Sequence, residues 1–393
     1  MADVDIVRAS ILTPGLCHRW GLPLRLEGKP GTAKTALITQ IAEEEGFHVE
    51  VVIASLRDPS DFLGVAVPVT EKDGTTTVEY APPAWALRAA KAQYAVVLFD
   101  EINSAVPAVQ AALHRVVLEG QVGDYKLPNT VVFIAAMNAV EDATGGQDVA
   151  MALGNRFGLL ADWEGATPQQ WCQWIVTAGN GNETAKLRDA AETMKAVKKA
   201  WPEHFAKAAG VWTSYISKNP AELNKPPAPD SPEASRAWSS MRTNEMAVRA
   251  LAASSLHNLS EIDTQRFVGA FVGAAAARQF FAWKKMLDLP DCAALLDGSV
   301  SYKHDPDRLD RSMVVFRTCA AIVAPSNAEK RQPRTAALWK LLKSHLDFAD
   351  IIFPAAVVLC DSKVRLVRGF AEADVVLAKL APVLRAAGIT VTK

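Results

Sequence analysis

Short runs of Val, Ile and Leu alternate with amphipathic stretches over the first 165 residues, which is typical of strands joined by crossover helices. Four apolar runs predict strands, at residues 22–26, 48–54, 94–99 and 130–136. The last three are apolar almost throughout, as strands covered on both faces of a parallel sheet must be. Helical spacing at residues 34–45 and 106–119 supplies helices between them. The pattern therefore predicts an α/β region built on a parallel sheet.

Beyond about residue 166 the strand pattern fades and the chain becomes mainly helical. Ala-rich amphipathic segments predict helices at residues 185–200, 242–256, 264–287 and 308–323. Residues 218–235 contain five prolines and predict an exposed loop. A polar stretch at 324–334 predicts a second break. We therefore predict three domains: an α/β core at residues 1–165, a helical region at 166–300 and a helical C-terminal extension at 301–393.

Composition narrows the class of protein. Half of the residues are apolar, 22% are charged and the net charge is -1, which describes a soluble globular chain and excludes a polybasic nucleic-acid coat. The five cysteines stand far apart without a zinc-site spacing, so we expect buried thiols in a reducing compartment. The start of the chain is acidic where a signal peptide would be basic. The longest apolar run has about half the length of a membrane-spanning helix. Together these features predict a cytoplasmic protein.

A loop between the first predicted strand and the helix from Lys34 fits the phosphate-loop pattern GxxxxGK[ST] at all but one fixed position. Its residues are Gly28, Lys29, Pro30, Gly31, Thr32, Ala33, Lys34 and Thr35. A Gly-rich turn points successive N–H groups at a phosphate, and the following helix adds its positive end. Lys34 would add a charge at the β and γ oxygens, and Thr35 could ligate Mg²⁺. Ala33 replaces the usual glycine, and we expect alanine to adopt the helical backbone angles needed there without loss of binding.

Two acids and one amide follow the next strands of the predicted sheet. Asp100 and Glu101 end the run at 94–99, and Asn138 ends the run at 130–136. Ligands of open α/β sheets bind at the carboxyl ends of the strands. We expect Asp100 to help hold Mg²⁺, Glu101 to act as general base and Asn138 to orient the attacking water. Acids after strands also cap helices, and Asn also favours turns, so these structural roles stay open.

Taken in order, these motifs resemble those of an AAA+ ATPase, and more narrowly a MoxR-like member of the dynein-related, helix-2-insert group. The resemblance rests on residues 28–35, 98–105, 119–138 and 152–157. It implies a parallel-sheet P-loop core, with residues 166–300 as the helical lid. It also implies that Asn138 is the sensor-1 residue. Arg156 matches the arginine finger that reaches the γ-phosphate bound by a neighbouring subunit, although an arginine capping a helix is the alternative.

Two further elements follow from the same resemblance. Residues 60–83 resemble the group's insert, a hairpin around Asp73-Gly74 that would line a central pore, although an ordinary surface hairpin is the alternative. A sensor-2 arginine should lie early in a lid helix. Ser235-Arg236-Ala237-Trp238 matches the expected pattern in part, so we favour Arg236 over Arg242.

The resemblance implies an ATP-driven remodeller that works with Mg²⁺ as a homo-oligomeric ring, most simply a hexamer. Such proteins partner a von Willebrand factor A domain protein and assist maturation of, or metal insertion into, a client. One alternative is a nucleic-acid-acting motor or defence-system subunit of the same insert group, which only the mildly basic C-terminal extension supports. A second alternative is a scaffold that binds ATP without useful turnover.

Overall fold

The computed structural model describes residues 2–70, 72–139, 142, 148–177, 187–305, 307–326, 328–360, 366 and 369–386. The chain forms two compact units. The first comprises Met1–Lys199 and Leu223–Ala277, and the second comprises Ala200–Glu222 and Arg278–Lys393. The domain boundaries expected near residues 165 and 300 stay a prediction.

All the strands in the described residues belong to the first unit. They are β1 Leu24–Gly28, β2 His48–Ile53, β3 Val65–Thr70, β4 Thr76–Ala81, β5 Ala95–Asp100, β6 Gln121–Val122, β7 Tyr125–Lys126, β8 Val131–Met137 and β9 Gly158–Trp163. Five of them form one parallel sheet in the order β2-β5-β8-β1-β9. The predicted parallel-sheet fold class is confirmed. Strand β8 lies between β1 and β5, so the ends of these three strands are adjacent.

Helices make up most of the remaining regular structure in the described residues. Those of the first unit are α1 Ala2–Ile11, α2 Lys34–Glu44, α3 Ser60–Leu63, α4 Ala84–Ala92, α5 Pro107–Glu119, α6 Met151–Gly154, α7 Pro168–Thr177, α9 Met241–Leu256 and α10 Glu261–Val272. Two helices belong partly to each unit, α8 Ala190–Lys218 and α11 Ala274–Leu287. Those of the second unit are α12 Cys292–Leu296, α13 Leu309–Val323, α14 Ala328–Lys343, α15 Ala349–Cys360 and α16 Ala371–Ala386. The predicted helical C-terminal region is confirmed.

Strand β9 has no counterpart among the predicted strands. Its six residues, GLLADW, show neither a clean alternation nor a continuous apolar run, because Asp162 interrupts them with a left-handed φ of 59°. Packing decides the strand instead. A Cβ at Gly158 would lie 2.6 Å from Phe271 and 2.8 Å from Leu24, so only glycine lets β9 approach its neighbours this closely.

Predicted helix boundaries were wrong in three places. The helix predicted at 185–200 runs on to Lys218 as α8. The segment at 264–287 is two helices, because Gly273 breaks it with a φ of 90° and a Cβ there would lie 2.9 Å from the carbonyl oxygen of Ala237. The polar break at 324–334 is shorter than predicted, because α14 begins at Ala328 and contains Pro333 in its second turn. The Pro-rich stretch holds two short 3-10 turns, Pro220–Leu223 and Pro232–Ser235.

The chain also contains an exposed hairpin and a separate apolar core in the second unit. The antiparallel pair of β3 and β4 forms the hairpin expected within residues 60–83, and nearly all of its side chains are exposed. The second unit has its own apolar core, which includes Phe316, Trp339 and the thiols of Cys292 and Cys319. None of the helices in the described ranges is both long enough and apolar enough to cross a bilayer.

The loop between β1 and α2 has an unusual backbone at Ala33. Its φ of 59° and ψ of 26° lie in the left-handed region, so the expectation that Ala33 adopts helical backbone angles was wrong. The end of β9 supports the loop from one side, since the indole N–H of Trp163 donates to the carbonyl of Thr32 at 3.1 Å. The surroundings therefore hold alanine in a conformation that costs an L-residue about 1–2 kcal/mol.

We expect Ala33→Gly to stabilise the first unit by about 0.5–1 kcal/mol. The relieved strain is partly offset by the roughly 0.5–1 kcal/mol of extra backbone entropy that glycine loses on folding. The midpoint of urea unfolding measures this change. The matched control is Ala108→Gly, at an exposed position inside α5, which should lower the midpoint. Equal decreases in both variants would show that Ala33 is not strained.

Candidate functional site

Lys34, the first residue of α2, points its ammonium group back into the loop that precedes it. The Nζ donates to the carbonyl oxygens of Gly28 at 2.9 Å and Lys29 at 2.8 Å, and to Oδ1 of Asn138 at 3.0 Å. These three acceptors match the three donors of an ammonium group. Burial lowers the pKa of Lys34, and the charge of Asp100 opposes this change. A largely buried cation is thus fixed at the mouth of the loop.

Thr35 and Asp100 form a second contact of the site. The Thr35 hydroxyl donates to Oδ2 of Asp100 at 2.6 Å, which joins the start of α2 to the end of β5. A hydroxyl and a carboxylate are oxygen ligands of the kind that Mg²⁺ prefers, and Mg²⁺ usually takes only one or two of them from a protein. This donor pair therefore fits a magnesium ion that is shared with a phosphate group.

Glu101 follows directly in a strained conformation, with a φ of 53°. Its N–H donates to Oδ1 of Asp100 at 2.9 Å, and its Oε2 accepts a hydrogen bond from the hydroxyl of Ser55, which follows β2. The Glu101 side chain is exposed. One carboxylate oxygen is held in place and the other is left for solvent, which suits a base that accepts a proton from water.

Asn138 completes this edge of the sheet. It follows β8 and so lies between the ends of β1 and β5. While its side-chain oxygen accepts from Lys34, its backbone carbonyl accepts from Nδ2 of buried Asn103 at 2.9 Å. The structure thus brings together Lys34, Asn138, Thr35, Asp100 and Glu101 from separate stretches of the sequence.

Arg156 is not part of this group. It precedes β9, so it lies at the amino edge of the parallel sheet, whereas the phosphate loop follows β1 at the carboxyl edge. Its Nη1 donates to the carbonyl of Ala152 at 2.6 Å. Burial lowers the pKa of Arg156 to about 10, and the nearby charge of Arg242 contributes to the shift. The guanidinium therefore remains charged at neutral pH.

The two sensor-2 candidates lie in different surroundings. Exposed Arg236 approaches Glu27 of β1 to 4.0 Å. Arg242, in the first turn of α9, donates to Oδ1 of Asn155 at 3.5 Å, and the same oxygen accepts from the Ser240 hydroxyl at 3.1 Å. Arg242 and Arg156 also line one small pocket. Arg236 thus lies near β1, the strand that precedes the phosphate loop, whereas Arg242 lies near Arg156.

Three residues that support the site were missed in the sequence. Ser55 holds Glu101, Asn103 holds the backbone of Asn138, and Trp163 supports the phosphate loop. Ser55 follows the apolar end of a parallel strand, so the rule that identified Asp100 and Asn138 could have found it. Asn103 and Trp163 carry no such signal, because their roles depend on contacts across the fold.

A family model and a solved structure are similar to parts of this chain. Residues 24–159 match the model of the ATPase family associated with various cellular activities (AAA). A crystal structure from Cytophaga hutchinsonii ATCC 33406, described as a "putative ATPase", is similar with 18% identity and a TM-score of 0.41. The match covers 69% of this chain and 80% of that chain. No curated protein sequence gives a significant match. The family match therefore spans the segment from β1 to the start of β9, which includes all five residues gathered at the site.

Proposed function

We propose that the protein hydrolyses ATP at the carboxyl edge of the sheet and uses the cycle, as a MoxR-like ring, to remodel a client protein. The observation that supports ATP hydrolysis best is the direct contact of Lys34 with Asn138 and of Thr35 with Asp100. A phosphate-binding cation, a magnesium ligand pair and a candidate base are therefore assembled at one edge. The remodelling role rests on the resemblance described above.

Each group has a defined task in this proposal. The N–H groups of the loop and Lys34 bind the β- and γ-phosphates. Thr35 and Asp100 would hold Mg²⁺, which when bound would neutralise charge on the phosphate oxygens. Glu101 removes a proton from the attacking water, and Asn138 orients that water. ATP would also replace acceptors now used by Lys34, because its three donors are already engaged.

The position of Arg156 supports action on a neighbouring protomer. Arg156 and its own phosphate loop lie at opposite edges of the sheet, so this guanidinium is not available to its own nucleotide. Rings are typical of AAA ATPases, and a ring places one protomer's edge against the next protomer's site. We propose that Arg156 acts in this way and that Arg242 accompanies it, while Arg236 stays a candidate for contact with its own protomer's nucleotide.

The hairpin of β3 and β4 is the proposed client-facing element. Val65, Val78 and Tyr80 are all more than 40% exposed although they are apolar or aromatic. Exposed side chains of this kind on a projecting hairpin suit transient contact with another polypeptide. A hexameric ring, a von Willebrand factor A domain partner and a role in client maturation or metal insertion belong to the same proposal.

Glu101→Gln tests the base. We expect phosphate release to fall by about 10²–10⁴-fold, because the amide cannot accept the water proton. Binding should persist, so Mg·ATP should still raise the melting temperature. Lys34→Ala should instead lose both the activity and the thermal shift.

The matched control is Glu43→Gln, which makes the same change at an exposed position on α2. Its phosphate release should equal that of the unaltered protein. Wild-type-like turnover in Glu101→Gln would exclude Glu101 as the base. If the unaltered protein shows a thermal shift but releases no phosphate, the protein binds ATP as a scaffold.

A mixing experiment tests the arginines. Arg156→Ala alone should lower turnover by about 10³–10⁵-fold, as removal of an arginine finger does. A mixture of Arg156→Ala with Glu101→Gln should recover activity, because each Arg156→Ala protomer keeps its base and can receive Arg156 from a Glu101→Gln neighbour. Phosphate release over a range of mixing ratios measures this recovery.

The same mixing separates Arg242 from Arg236. Arg242→Ala should recover activity with Glu101→Gln, as Arg156→Ala does. Arg236→Ala should not recover if its role is within its own protomer. If no arginine variant recovers activity with Glu101→Gln although the mixed oligomers form, the proposal of action between protomers is wrong.

A further inference from the structure

Arg25, the second residue of β1, is a fully buried cation. Its side chain has no solvent exposure, and β1 is flanked by β8 and β9. Arginine is almost never buried to this extent without an ionic partner, because removing its charge from water is costly. Burial lowers the pKa of Arg25 to about 10, so the side chain is still charged at neutral pH.

The contacts of Arg25 do not offset the free-energy cost of burying its charge. Its Nη2 donates to the backbone carbonyl of Ser235, whereas Nε and Nη1 have no hydrogen-bond partner in the described chain. Glu27 and Asp148 act on its pKa only through their charges. A well-packed apolar side chain would serve stability at least as well. Stability therefore does not explain an arginine here.

The contacts do place Arg25 where two parts of the molecule meet. Ser235, which accepts its hydrogen bond, immediately precedes Arg236. A Cβ at Gly154, the last residue of α6, would lie 3.4 Å from the carbonyl oxygen of Ser235 and 3.6 Å from Nη2 of Arg25. The guanidinium therefore donates to the 3-10 turn Pro232–Ser235 and lies close to Gly154 at the end of α6.

The end of α6 near Arg25 is also next to Arg156 and Arg242. Gly154 is followed by Asn155 and Arg156. The Oδ1 of Asn155 accepts from the Ser240 hydroxyl and from Arg242. The position of α6 thus sets where Arg156 lies, and through Asn155 it also sets where Arg242 lies. In the other direction β1 ends at Gly28, where the phosphate loop begins.

We propose that Arg25 is a positioning residue that fixes the arginines that one protomer offers to the nucleotide of its neighbour. The inference rests on the proposed function, because it requires Arg156 and Arg242 to act between protomers. Arg25 does not touch the nucleotide itself. It ties the turn before Arg236, and with it the nearby end of α6, to β1.

Arg25→Met tests the proposal, because methionine fills much of the same volume without charge or donors. We expect turnover to fall at least tenfold, with an unchanged shift of the melting temperature by Mg·ATP and an unchanged melting temperature without it. The control is Arg249→Met. Arg249 also joins a guanidinium to a backbone carbonyl of the first unit, that of Pro14 at 2.8 Å, but lies outside the contacts of Arg25. It should keep near-normal turnover.

Mixing gives the decisive readout. Arg25→Met should recover activity with Glu101→Gln, because its own base is intact and it receives arginines from its neighbour. It should not recover with Arg156→Ala, because neither protomer then offers well-placed arginines. The opposite pattern would show that Arg25 serves its own phosphate loop and would overturn the proposal. Full activity of Arg25→Met alone would also overturn it.

Two further measurements keep the outcomes separate. If Arg25→Met does not fold, Arg25→Lys, which keeps the charge and a hydrogen-bond donor group, should show partial turnover and the same mixing pattern. The mixture of Arg156→Ala with Glu101→Gln is the reference. If that mixture recovers activity but Arg25→Met does not recover with Glu101→Gln, the positioning role of Arg25 is wrong and the proposed action between protomers still holds. If the reference mixture stays inactive, the proposed action between protomers fails first.

Discussion

The ammonium group of Lys34 is the contact on which the rest of the site depends. It binds two carbonyls of the loop and the side chain of Asn138, so one charge joins β1, α2 and the end of β8. Parallel strands make this possible, because their carboxyl ends lie side by side and leave polar residues at one edge. Thr35 with Asp100, and Glu101 with Ser55, extend the same arrangement toward β5 and β2. Each contact joins residues that follow different strands.

The sequence alone was sufficient to predict the polar residues that lie at the carboxyl edge of the sheet. Lys34 and Thr35 belong to a fixed loop spacing, and Asp100 and Asn138 follow long apolar runs, so both signals are local. The backbone at Ala33 was predicted wrongly, because the support from Trp163 comes from 130 residues further along the chain and no local pattern records it. Strand β9 was missed for a similar reason, since its existence depends on the close approach of Gly158 to Leu24 and Phe271.

For the arginines, too, neighbouring residues identified the candidates, whereas their contacts depend on residues far away in the sequence. Arg156 was identified through its neighbours in the sequence, but nothing local revealed that Arg242 lies with it and Arg236 does not. The contact between Arg25 and Ser235 spans 210 positions. The guanidinium groups of buried Arg25 and half-buried Arg156 are costly in the isolated protomer, because each has a buried N–H donor without a partner in the described chain. Proteins often accept such costs where function needs a charge in a fixed place.

The exposed hairpin of β3 and β4 has a consequence for how proteins of this design can diverge. Because almost none of its side chains is buried, substitutions there leave the packing of the sheet and the geometry at Lys34 untouched. Surface changes of this kind usually alter stability by no more than about 0.5 kcal/mol. The hairpin can therefore accumulate new contact chemistry over evolutionary time while the nucleotide machinery stays the same.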